Sequence, residues 1–548
     1  MMSRKPLHAS LIALAMALAA PTPVFAQPAA QTQGVPPTRT PIQHLVVIFQ
    51  ENISFDHYFG TYPIALNPPG EPAFHALQGT PRVNGLTPEL IAHNPNSANP
   101  VRLDRVQAVT CDMDHGYTAE QKAYDGGKLD KFVESTGATG PGCDPKMVMD
   151  YYDGNTVTAL WNYAQRFALS DNFFDTEYGP STPGALNLIR GSASGVDHDD
   201  VPGRLYKGVL SSDLDPTYDD CGQSTASRPV VEIRGHNVGD LLNARGVTWG
   251  WFQGGFRPTG TNPAGAAVCA TASKNAAGRT IRAYSPHHEP FQYFEQTANP
   301  KHLTPSSTAM IGRTDRANHQ YDLEDFWAAV DAGDLPAVSF LKATAAEDGH
   351  AGNSGPLDEQ AFLVKTLNHL QESPFWSSTA VIIAYDDSDG WYDHVMPPLP
   401  YGSNGPNDAL DGPGLCGQPT SNAMLNRCGF GPRLVLLAIS PYAKRNVVDH
   451  TATNQASILR FIEDNWSLGR LPASDRSVDA EAALLDGLFD FAARPHPEPL
   501  LLDPATGLEH FPKSVTHFWL RRTSFRIKKC VKTKNESVDL MQSDRRSR

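Results

Sequence analysis

The sequence predicts an α/β protein whose core is a mostly parallel sheet flanked by helices, with a smaller inserted subdomain. Three observations carry this prediction: short uninterrupted apolar runs, amphipathic segments between them, and a central stretch where this rhythm stops. An apolar run without alternation is typical of a strand buried on both faces. Such strands alternating with helices form a mostly parallel sheet that is covered by helices.

Four apolar runs predict the buried strands: HLVVIF at 44–49, AVSFL at 337–341, AVIIAY at 380–385 and LVLLAI at 434–439. Two amphipathic segments predict helices. The first spans 358–372 and places Phe362, Leu363, Leu367 and Leu370 on one side, and the second spans 455–468 with Ile458, Leu459, Ile462 and Trp466. An apolar stripe of this spacing is the face that a helix packs against a core.

Two segments depart from this pattern. Residues 200–300 contain two cysteines, two tryptophans and many glycines, and they predict an insertion or smaller subdomain. Residues 400–432 consist almost entirely of turn-forming residues and predict a surface loop. A Pro/Gln-rich linker at 27–41 leads into the large domain, which we expect to span 42–512.

The two ends of the sequence predict an export signal and a disordered tail. Residues 1–26 have the charged start, apolar stretch and small-residue cleavage site of an export signal. Apart from this signal, no run reaches the roughly 20 apolar residues of a membrane span, so we expect a periplasmic or secreted protein without a transmembrane segment. The tail, 513–548, carries 11 Lys+Arg against 3 Asp+Glu and predicts a disordered appendage, with an anionic-surface anchor as the alternative.

The charge balance excludes nucleic acid as a partner of the main body. The whole chain has a formal net charge of −14, and the residues before the basic tail carry 34 Lys+Arg against 56 Asp+Glu, a net of −22. A surface of that sign repels a phosphate backbone. We therefore expect no nucleic-acid partner.

The seven cysteines indicate disulfide bonds, because the chain is expected to leave the cytoplasm. Pairing between sequence neighbours would join Cys111 to Cys143, Cys221 to Cys269 and Cys416 to Cys428, but six cysteines permit about 15 connectivities. The sequence does not choose among them. It contains no C-x-x-C spacing, which disfavours sulfur-ligated zinc.

Oxygen-bearing side chains follow two of the predicted strands. Glu51 and Asn52 come after the first run, and Asp386 and Asp387 come directly after AVIIAY. Ligands of open α/β sheets bind beyond the carboxyl ends of the strands. Carboxylate and amide oxygens are ligands of hard or borderline divalent cations. The pattern predicts a divalent metal site, with solvated loop carboxylates as the alternative.

A candidate nucleophile and a set of histidines complete the predicted site. Ser181 precedes Pro183 at the start of a helix-compatible stretch, where backbone N–H groups favour an anion, although a capping serine gives the same local pattern. The histidines on Gly/Pro-rich loops are His115, His287, His288 and His350. Histidine is the commonest acid/base group and metal ligand.

The absence of several catalytic motifs disfavours some classes of enzyme. The chain has no G-x-x-x-x-G-K-[ST] loop, no G-x-G-x-x-G turn, no G-x-S-x-G elbow and no H-E-x-x-H helix. These absences disfavour nucleotide-dependent transfer, esterase chemistry of the elbow type and zincin proteolysis.

Four ordered motifs resemble a known family. Residues 42–60 read IQHLVVIFQENISFDHYFG, and STPG at 181–184, EDGHAG at 347–352 and DDSDGWYDH at 386–394 follow in order. They resemble the bacterial phosphoesterase family that unites phosphatidylcholine-type phospholipases C with exported respiratory-burst-inhibiting acid phosphatases. The resemblance covers about 42–470.

The resemblance implies a core related to alkaline phosphatase, one bound divalent metal ion and Ser181 as the nucleophile. It implies Glu51, Asn52, Ser181, Asp386 and Asp387 as residues on the metal side, and His115, His287, His288 and His350 around the phosphate and leaving group. Ile53 stands in place of the usual Arg, and Gln455 stands where the phospholipase branch is expected to have His. We also expect that branch's C-terminal extension to be missing, and the acid phosphatase branch is therefore favoured.

We therefore expect an exported metal-dependent phosphomonoesterase that acts through a phosphoserine. A phosphate facing several carboxylates would meet repulsion of roughly 4 kcal/mol per close pair at an effective dielectric constant near 20, which independently favours a bound cation. The alternatives are a phospholipase C that cleaves phosphodiesters and a non-catalytic surface-binding protein. The identity of the metal and the oligomeric state are left open.

Overall fold

A computed structural model of the chain describes residues 37–418 and 426–510. The predicted export signal, most of the linker and the basic tail lie outside the described residues. In the described part, the strands are β1 His44–Gln50, β2 Ala168–Phe174, β3 Leu205–Tyr206, β4 Val209–Leu210, β5 Trp249–Gln253, β6 Gly260–Thr261, β7 Ala267–Val268, β8 Ala272–Lys274, β9 Thr280–Arg282, β10 Gln320–Asp322, β11 Val338–Lys342, β12 Thr379–Tyr385, β13 Arg433–Ile439, β14 Val447–Asp449 and β15 Thr453–Asn454.

Ten α-helices lie in the same described ranges. They are α1 Phe55–Phe59, α2 Pro88–Ala92, α3 Tyr117–Tyr124, α4 Phe132–Ser135, α5 Thr158–Arg166, α6 Ser181–Arg190, α7 Val238–Arg245, α8 Leu323–Ala332, α9 Pro356–Glu372 and α10 Gln455–Asn465. The predicted helices at 358–372 and 455–468 correspond to α9 and α10. Helix α10 stops earlier than predicted because Trp466 is its C-cap. No helix of the described ranges combines the length and the apolar character that crossing a bilayer requires.

A nine-stranded sheet forms the centre of the described structure, with strand order β10-β5-β11-β1-β12-β13-β2-β14 and β15 also paired to β2. Most neighbours are parallel, and β13 is antiparallel to both β12 and β2. The four predicted apolar runs are strands β1, β11, β12 and β13, and every residue of these strands is buried. This confirms the predicted α/β fold with a mostly parallel sheet flanked by helices.

The segment 200–300 differs from the prediction. It does carry three two-stranded ribbons, β3–β4, β6–β7 and β8–β9, but β5 belongs to the main sheet. Strand β5 pairs in parallel with both β10 and β11, and all five of its residues are buried. Its sequence WGWFQ lacks the aliphatic run of the other inner strands, which is why the sequence pattern did not reveal it.

The predicted surface loop at 400–432 is partly buried in the described residues. Ser403, Cys416 and Cys428 have no exposed surface. The Tyr117 hydroxyl donates to Asp408 and accepts from the Cys428 N–H at 2.7 Å, so the loop is held against helix α3. Turn-forming composition predicts irregular backbone correctly here, but it does not predict exposure.

Three disulfide bonds join sequence neighbours: Cys111–Cys143, Cys221–Cys269 and Cys416–Cys428. The structure thus selects one of the connectivities that the sequence leaves open. Each bond closes a loop of the chain and restricts the unfolded state. Cys530 lies outside the described residues.

Candidate active site

The candidate site lies at the carboxyl ends of three adjacent strands. Gln50 at the end of β1 is paired in register with Tyr385 at the end of β12, so the residues that follow them, Glu51 and Asp386, leave the sheet side by side. The Asn52 backbone N–H donates to Asp386 Oδ1 at 3.0 Å, and the Ile53 N–H donates to the Asp387 carbonyl at 2.9 Å. The backbone itself therefore brings the two acidic segments together.

Ser181 is the first residue of helix α6, and it reaches this acidic edge. Its hydroxyl lies 3.2 Å from Glu51 Oε2 and 3.1 Å from Asp387 Oδ2. The N-cap of the helix is Pro180, so Ser181 is not a capping serine. The residue Ser181 is 2 % exposed, and Glu51 and Asp387 are fully buried.

Gly184 explains how helix α6 comes so close to strand β12. A Cβ atom at this position would lie 2.1 Å from the Asp386 carbonyl oxygen, well inside the contact distance of real Cβ atoms. Only glycine permits this approach of helix to backbone. From the other side, Gln455 Nε2 donates to the same Asp386 carbonyl at 3.1 Å and to Asp175 Oδ1 at 2.8 Å. Gln455 therefore supports the backbone of Asp386, and its amide is engaged beneath the site.

Asn52 supplies the observation that best fits a metal ion. Its backbone has φ of 58°, a left-handed conformation uncommon for a residue with a side chain. The side-chain carbonyl oxygen, Oδ1, is buried and accepts no hydrogen bond from any residue in the described ranges. A buried amide oxygen without a donor is costly unless another group satisfies it. Together with three carboxylates and the Ser181 hydroxyl, it forms an oxygen-rich set suited to a divalent cation.

The carboxylates of this set are crowded. Burial and the neighbouring charge of Asp386 raise the pKa of Asp387 well above its usual range. Burial and the charge of Glu51 raise the pKa of Asp386 to about 6. A cation placed among these groups would favour their charged forms.

Lys342 is a site residue that the sequence analysis missed. It ends β11 beside β1, is fully buried, and its ammonium group contacts Glu51 Oε1 and lies 3.4 Å from Asp386 Oδ2. Burial alone would lower the pKa of Lys342, but the charges of Asp386 and Glu51 outweigh it and raise this pKa. The signal was a lysine at the end of the apolar run AVSFL, where a charged residue is unusual.

His287 and His288 line one side of the site. His288 Nδ1 lies 2.9 Å from Glu51 Oε1, and burial together with the charge of His287 lowers the pKa of His288 well below its usual value. His287 Nδ1 lies 3.2 Å from Asp215 Oδ1. Burial alone would lower the pKa of His287, but the hydrogen bond to Asp215 and the charge of Asp213 outweigh it and raise this pKa. A histidine of lowered pKa, His288, and a histidine of raised pKa, His287, are therefore adjacent.

His115 and His350 line the other side, with ring centroids 5.8 Å apart. His115 Nδ1 lies 3.1 Å from the buried carboxylate of Asp389, a further site residue that sequence reasoning did not single out. Burial alone would lower the pKa of His350, but the charges of Asp389 and Glu51 outweigh it and raise this pKa to about 9. The sequence-predicted residues thus lie close together at this edge of the sheet, with Ser181, the carboxylates and His288 buried and His115, His287 and His350 partly buried.

Groups of metal-ligating side chains occur at this edge within the described residues. One consists of Glu51, His288 and Asp348, and another of Asp112, His115, His350 and Asp389; within each group the ligand atoms lie within 4.8 Å of one another. The Glu51 N–H also donates to the Asp348 carbonyl at 3.0 Å. The arrangement combines a hydroxyl between carboxylates, oxygen and nitrogen groups of the kinds that could hold a cation, and histidines beside acidic partners.

The chain is similar to bacterial phospholipases C. Phospholipase C A of Mycobacterium tuberculosis is 25% identical over 497 residues, covering 88% of this chain and 84% of that protein. The non-hemolytic phospholipase C of Pseudomonas aeruginosa is 25% identical over 447 residues, covering 78% of this chain and 54% of that protein. A solved protein of the alkaline phosphatase superfamily from Vibrio parahaemolyticus aligns at 13% identity with a TM-score of 0.27, over 60% of this chain and 64% of that one.

These relatives do not confirm the preference for the acid phosphatase branch that Gln455 suggested. The curated relatives named above are phospholipases C. The model of the Phosphoesterase family matches residues 42–469, which agrees with the range over which the sequence motifs resemble that family. Because this match spans most of the chain, the protein belongs to the Phosphoesterase family and is a hydrolase that acts on phosphoric ester bonds.

Proposed function

We propose that the protein is an exported, metal-dependent phosphoesterase that cleaves phospholipid-type phosphodiesters through a phosphoserine at Ser181. The observation that carries the proposal is the Ser181 hydroxyl held 3.2 Å from Glu51 Oε2 and 3.1 Å from Asp387 Oδ2. The similarity to phospholipases C supports the diester substrate. The three disulfide bonds support export, because such bonds persist in oxidising compartments.

The residues that would hold one divalent ion are Glu51, Asn52, Ser181, Asp386 and Asp387. When bound, the ion supplies positive charge that attracts the phosphate and makes the serine hydroxyl more acidic. The buried, unsatisfied Asn52 Oδ1 supports this assignment. Lys342 holds Glu51 from the opposite side, so that the second oxygen of Glu51 stays directed at Ser181.

Ser181 begins the reaction. Its Oγ passes its proton to a neighbouring carboxylate, attacks phosphorus and forms a new P–O bond, while the bond from phosphorus to the leaving alcohol oxygen breaks. His350, protonated at neutral pH because its pKa is raised to about 9, donates a proton to the departing oxygen. Water then gives a proton to His350 and attacks phosphorus, the bond from phosphorus to Ser181 Oγ breaks, the carboxylate returns its proton to Oγ and the phosphate product leaves. His115 and His287, both close to acidic partners, provide positive charge toward the phosphate oxygens.

The start of helix α6 contributes less to phosphate binding than its position alone suggests. The Thr182 N–H donates to Asp213 Oδ1 at 3.0 Å, and Pro183 has no N–H to offer. Charge stabilisation of the phosphate therefore rests on the histidines and the metal side of the site.

Hydrolysis of phosphate monoesters is the second candidate, and Lys342 favours it. A permanent cation beside the metal-side carboxylates adds positive charge, and a dianionic monoester gains more from it than a monoanionic diester does. Parallel assays with p-nitrophenyl phosphate and p-nitrophenylphosphorylcholine separate the two substrates. Turnover of the choline ester alone supports the phospholipase C activity, and turnover of the monoester alone replaces it with phosphatase activity.

Replacing Ser181 with Ala tests the mechanism for either substrate. We expect Ser181→Ala to lose turnover while its metal content stays near that of the wild type, because four other oxygen ligands remain. Ser307→Ala, at an exposed serine whose side chain makes no capping hydrogen bond, serves as the matched control. Substantial residual activity in Ser181→Ala would exclude Ser181 as the nucleophile. A folded, metal-loaded wild type without activity on either ester would instead indicate a non-catalytic binding protein.

A further inference from the structure

A cleft of about 290 Å³ lies beside the candidate active site and shares His287 with it. On the site side, the His287 carbonyl accepts from the Thr182 hydroxyl at 3.3 Å, next to Ser181. On the cleft side, the His287 ring lies 3.2 Å from Asp215 Oδ1. The His287 side chain is 23% exposed, whereas Ser181 is nearly sealed. His287 therefore connects the neighbourhood of Ser181 with this cleft.

Two arginines, Arg228 and Arg282, line the cleft together with His287. Arg228 Nη2 donates to the Asp213 carbonyl at 2.8 Å, and Arg282 Nε donates to the Cys269 carbonyl at 2.9 Å. Within the described ranges, neither guanidinium has a carboxylate oxygen within 4.0 Å. Each guanidinium group has five N–H groups. One of them donates to a backbone carbonyl, and others remain to bind a ligand.

The one carboxylate in the cleft does not cancel this charge. Asp215 accepts from the Gln223 N–H at 2.8 Å and lies against the His287 ring, so its two oxygens are engaged. Among the residues that line the cleft, two guanidiniums and a histidine of raised pKa meet one carboxylate, and the charge of Asp213 outside this lining also acts on His287. This local excess of positive charge contrasts with the body of the chain, whose net charge is −22.

We propose that this cleft binds an anionic group, a carboxylate or a second phosphate, on the part of the phosphoester that lies beyond the reacting phosphorus. The inference rests on the proposed function and specifies its substrate class. Guanidinium groups match the geometry of carboxylate and phosphate oxygens. A volume near 290 Å³ is at the lower end of ligand pockets and suits a small head group. A quaternary ammonium such as choline would meet two positive charges here.

The test compares two phosphodiesters that differ by one anionic group, methyl phenyl phosphate and methyl 4-carboxyphenyl phosphate. We expect the wild type to show a kcat/KM about five- to tenfold higher for the carboxylated ester, as for a new charge-assisted contact. The double variant Arg228→Gln/Arg282→Gln should lose this preference. Arg316→Gln, at an exposed arginine that also donates to a backbone carbonyl, should keep it. Equal kcat/KM for the two esters in the wild type would overturn the proposal, as would a preference that survives in the double variant.

A binding measurement separates failure of this inference from failure of the proposed function. Titration calorimetry of the same two esters against Ser181→Ala reports affinity without turnover. Tighter binding of the carboxylated ester that disappears when both arginines are replaced supports the cleft even if the wild type hydrolyses neither ester. Equal affinity of Ser181→Ala for both esters refutes the cleft assignment whatever the activity of the wild type, and circular dichroism of each variant establishes that it is folded.

Discussion

Gly184 gives the sharpest test of how the site is assembled. In Gly184→Ala, the new Cβ would lie 2.1 Å from the Asp386 carbonyl oxygen and 2.8 Å from its carbon, whereas real Cβ atoms essentially never come within 3.0 Å. Helix α6 must therefore move by about 1 Å away from strand β12. The Ser181 hydroxyl, now 3.1 Å from Asp387, would be carried with the helix. A misplacement of about 1 Å costs on the order of 10²-fold in rate.

Measured kcat on the preferred ester, metal content and thermal unfolding should be compared between Gly184→Ala and the wild type. We expect kcat to fall about 100-fold and the free energy of unfolding to fall by about 1–3 kcal/mol, the usual cost of overpacking. Gly260→Ala is the matched control, because a Cβ there has no atom within 4 Å and its φ is not in the left-handed region. Wild-type kcat in a folded Gly184→Ala would refute the argument that this close approach positions Ser181.

Three further predictions address metal and charge. Chelation should abolish the activity of the wild type, and added divalent ion should restore it. In Asp387→Asn, added divalent ion should not restore activity. Activity that persists after complete metal removal would contradict the proposed metal-binding residues. Lys342→Met leaves the buried charges of Glu51 and Asp386 uncompensated, so we expect a lower Tm and a free energy of unfolding reduced by about 3–5 kcal/mol without metal. Added divalent ion should restore part of this free energy. An equal loss with and without metal would contradict the prediction. Burial and Asp479 raise the pKa of Glu463 from 4.5 to about 9, so its contribution to stability is present below pH 4.5 and lost as pH rises toward 9. In urea unfolding, the free energy of unfolding of Glu463→Gln should exceed that of the wild type by more at pH 8 than at pH 5. A difference that does not depend on pH would contradict this linkage.

The predictions from sequence succeed where the signal is local. The runs at 44–49, 337–341, 380–385 and 434–439 became buried strands, because a strand covered on both faces needs apolar residues at successive positions. They fail where the identity of a strand depends on its neighbours. Strand β5 has the mixed sequence WGWFQ and is an inner strand only because β10 and β11 lie on either side of it.

In the candidate site, too, local sequence patterns were predictable and contacts between distant segments were not. Acidic and amide residues after two apolar runs were sufficient to predict an oxygen-rich edge, and the motif order was sufficient to single out Ser181 and the four histidines. The lysine after AVSFL was an unusual feature of the sequence, but its contact with Glu51 was not predictable, because it depends on β11 lying beside β1 and on a side chain of that strand turning toward Glu51. Gln455 stands where the phospholipase branch is expected to have His, and only the fold shows that its amide donates to the Asp386 carbonyl.

The sequence by itself determined the α/β class, the family and the residue types available for phosphoester chemistry, since apolar patterning and short motifs are properties of contiguous residues. The tertiary structure decided which segments meet: the register that pairs Gln50 with Tyr385, the approach of helix α6 through Gly184, the three disulfide partners and the arginines beside His287. These contacts join residues far apart in the chain, and their formation depends on packing of the whole core.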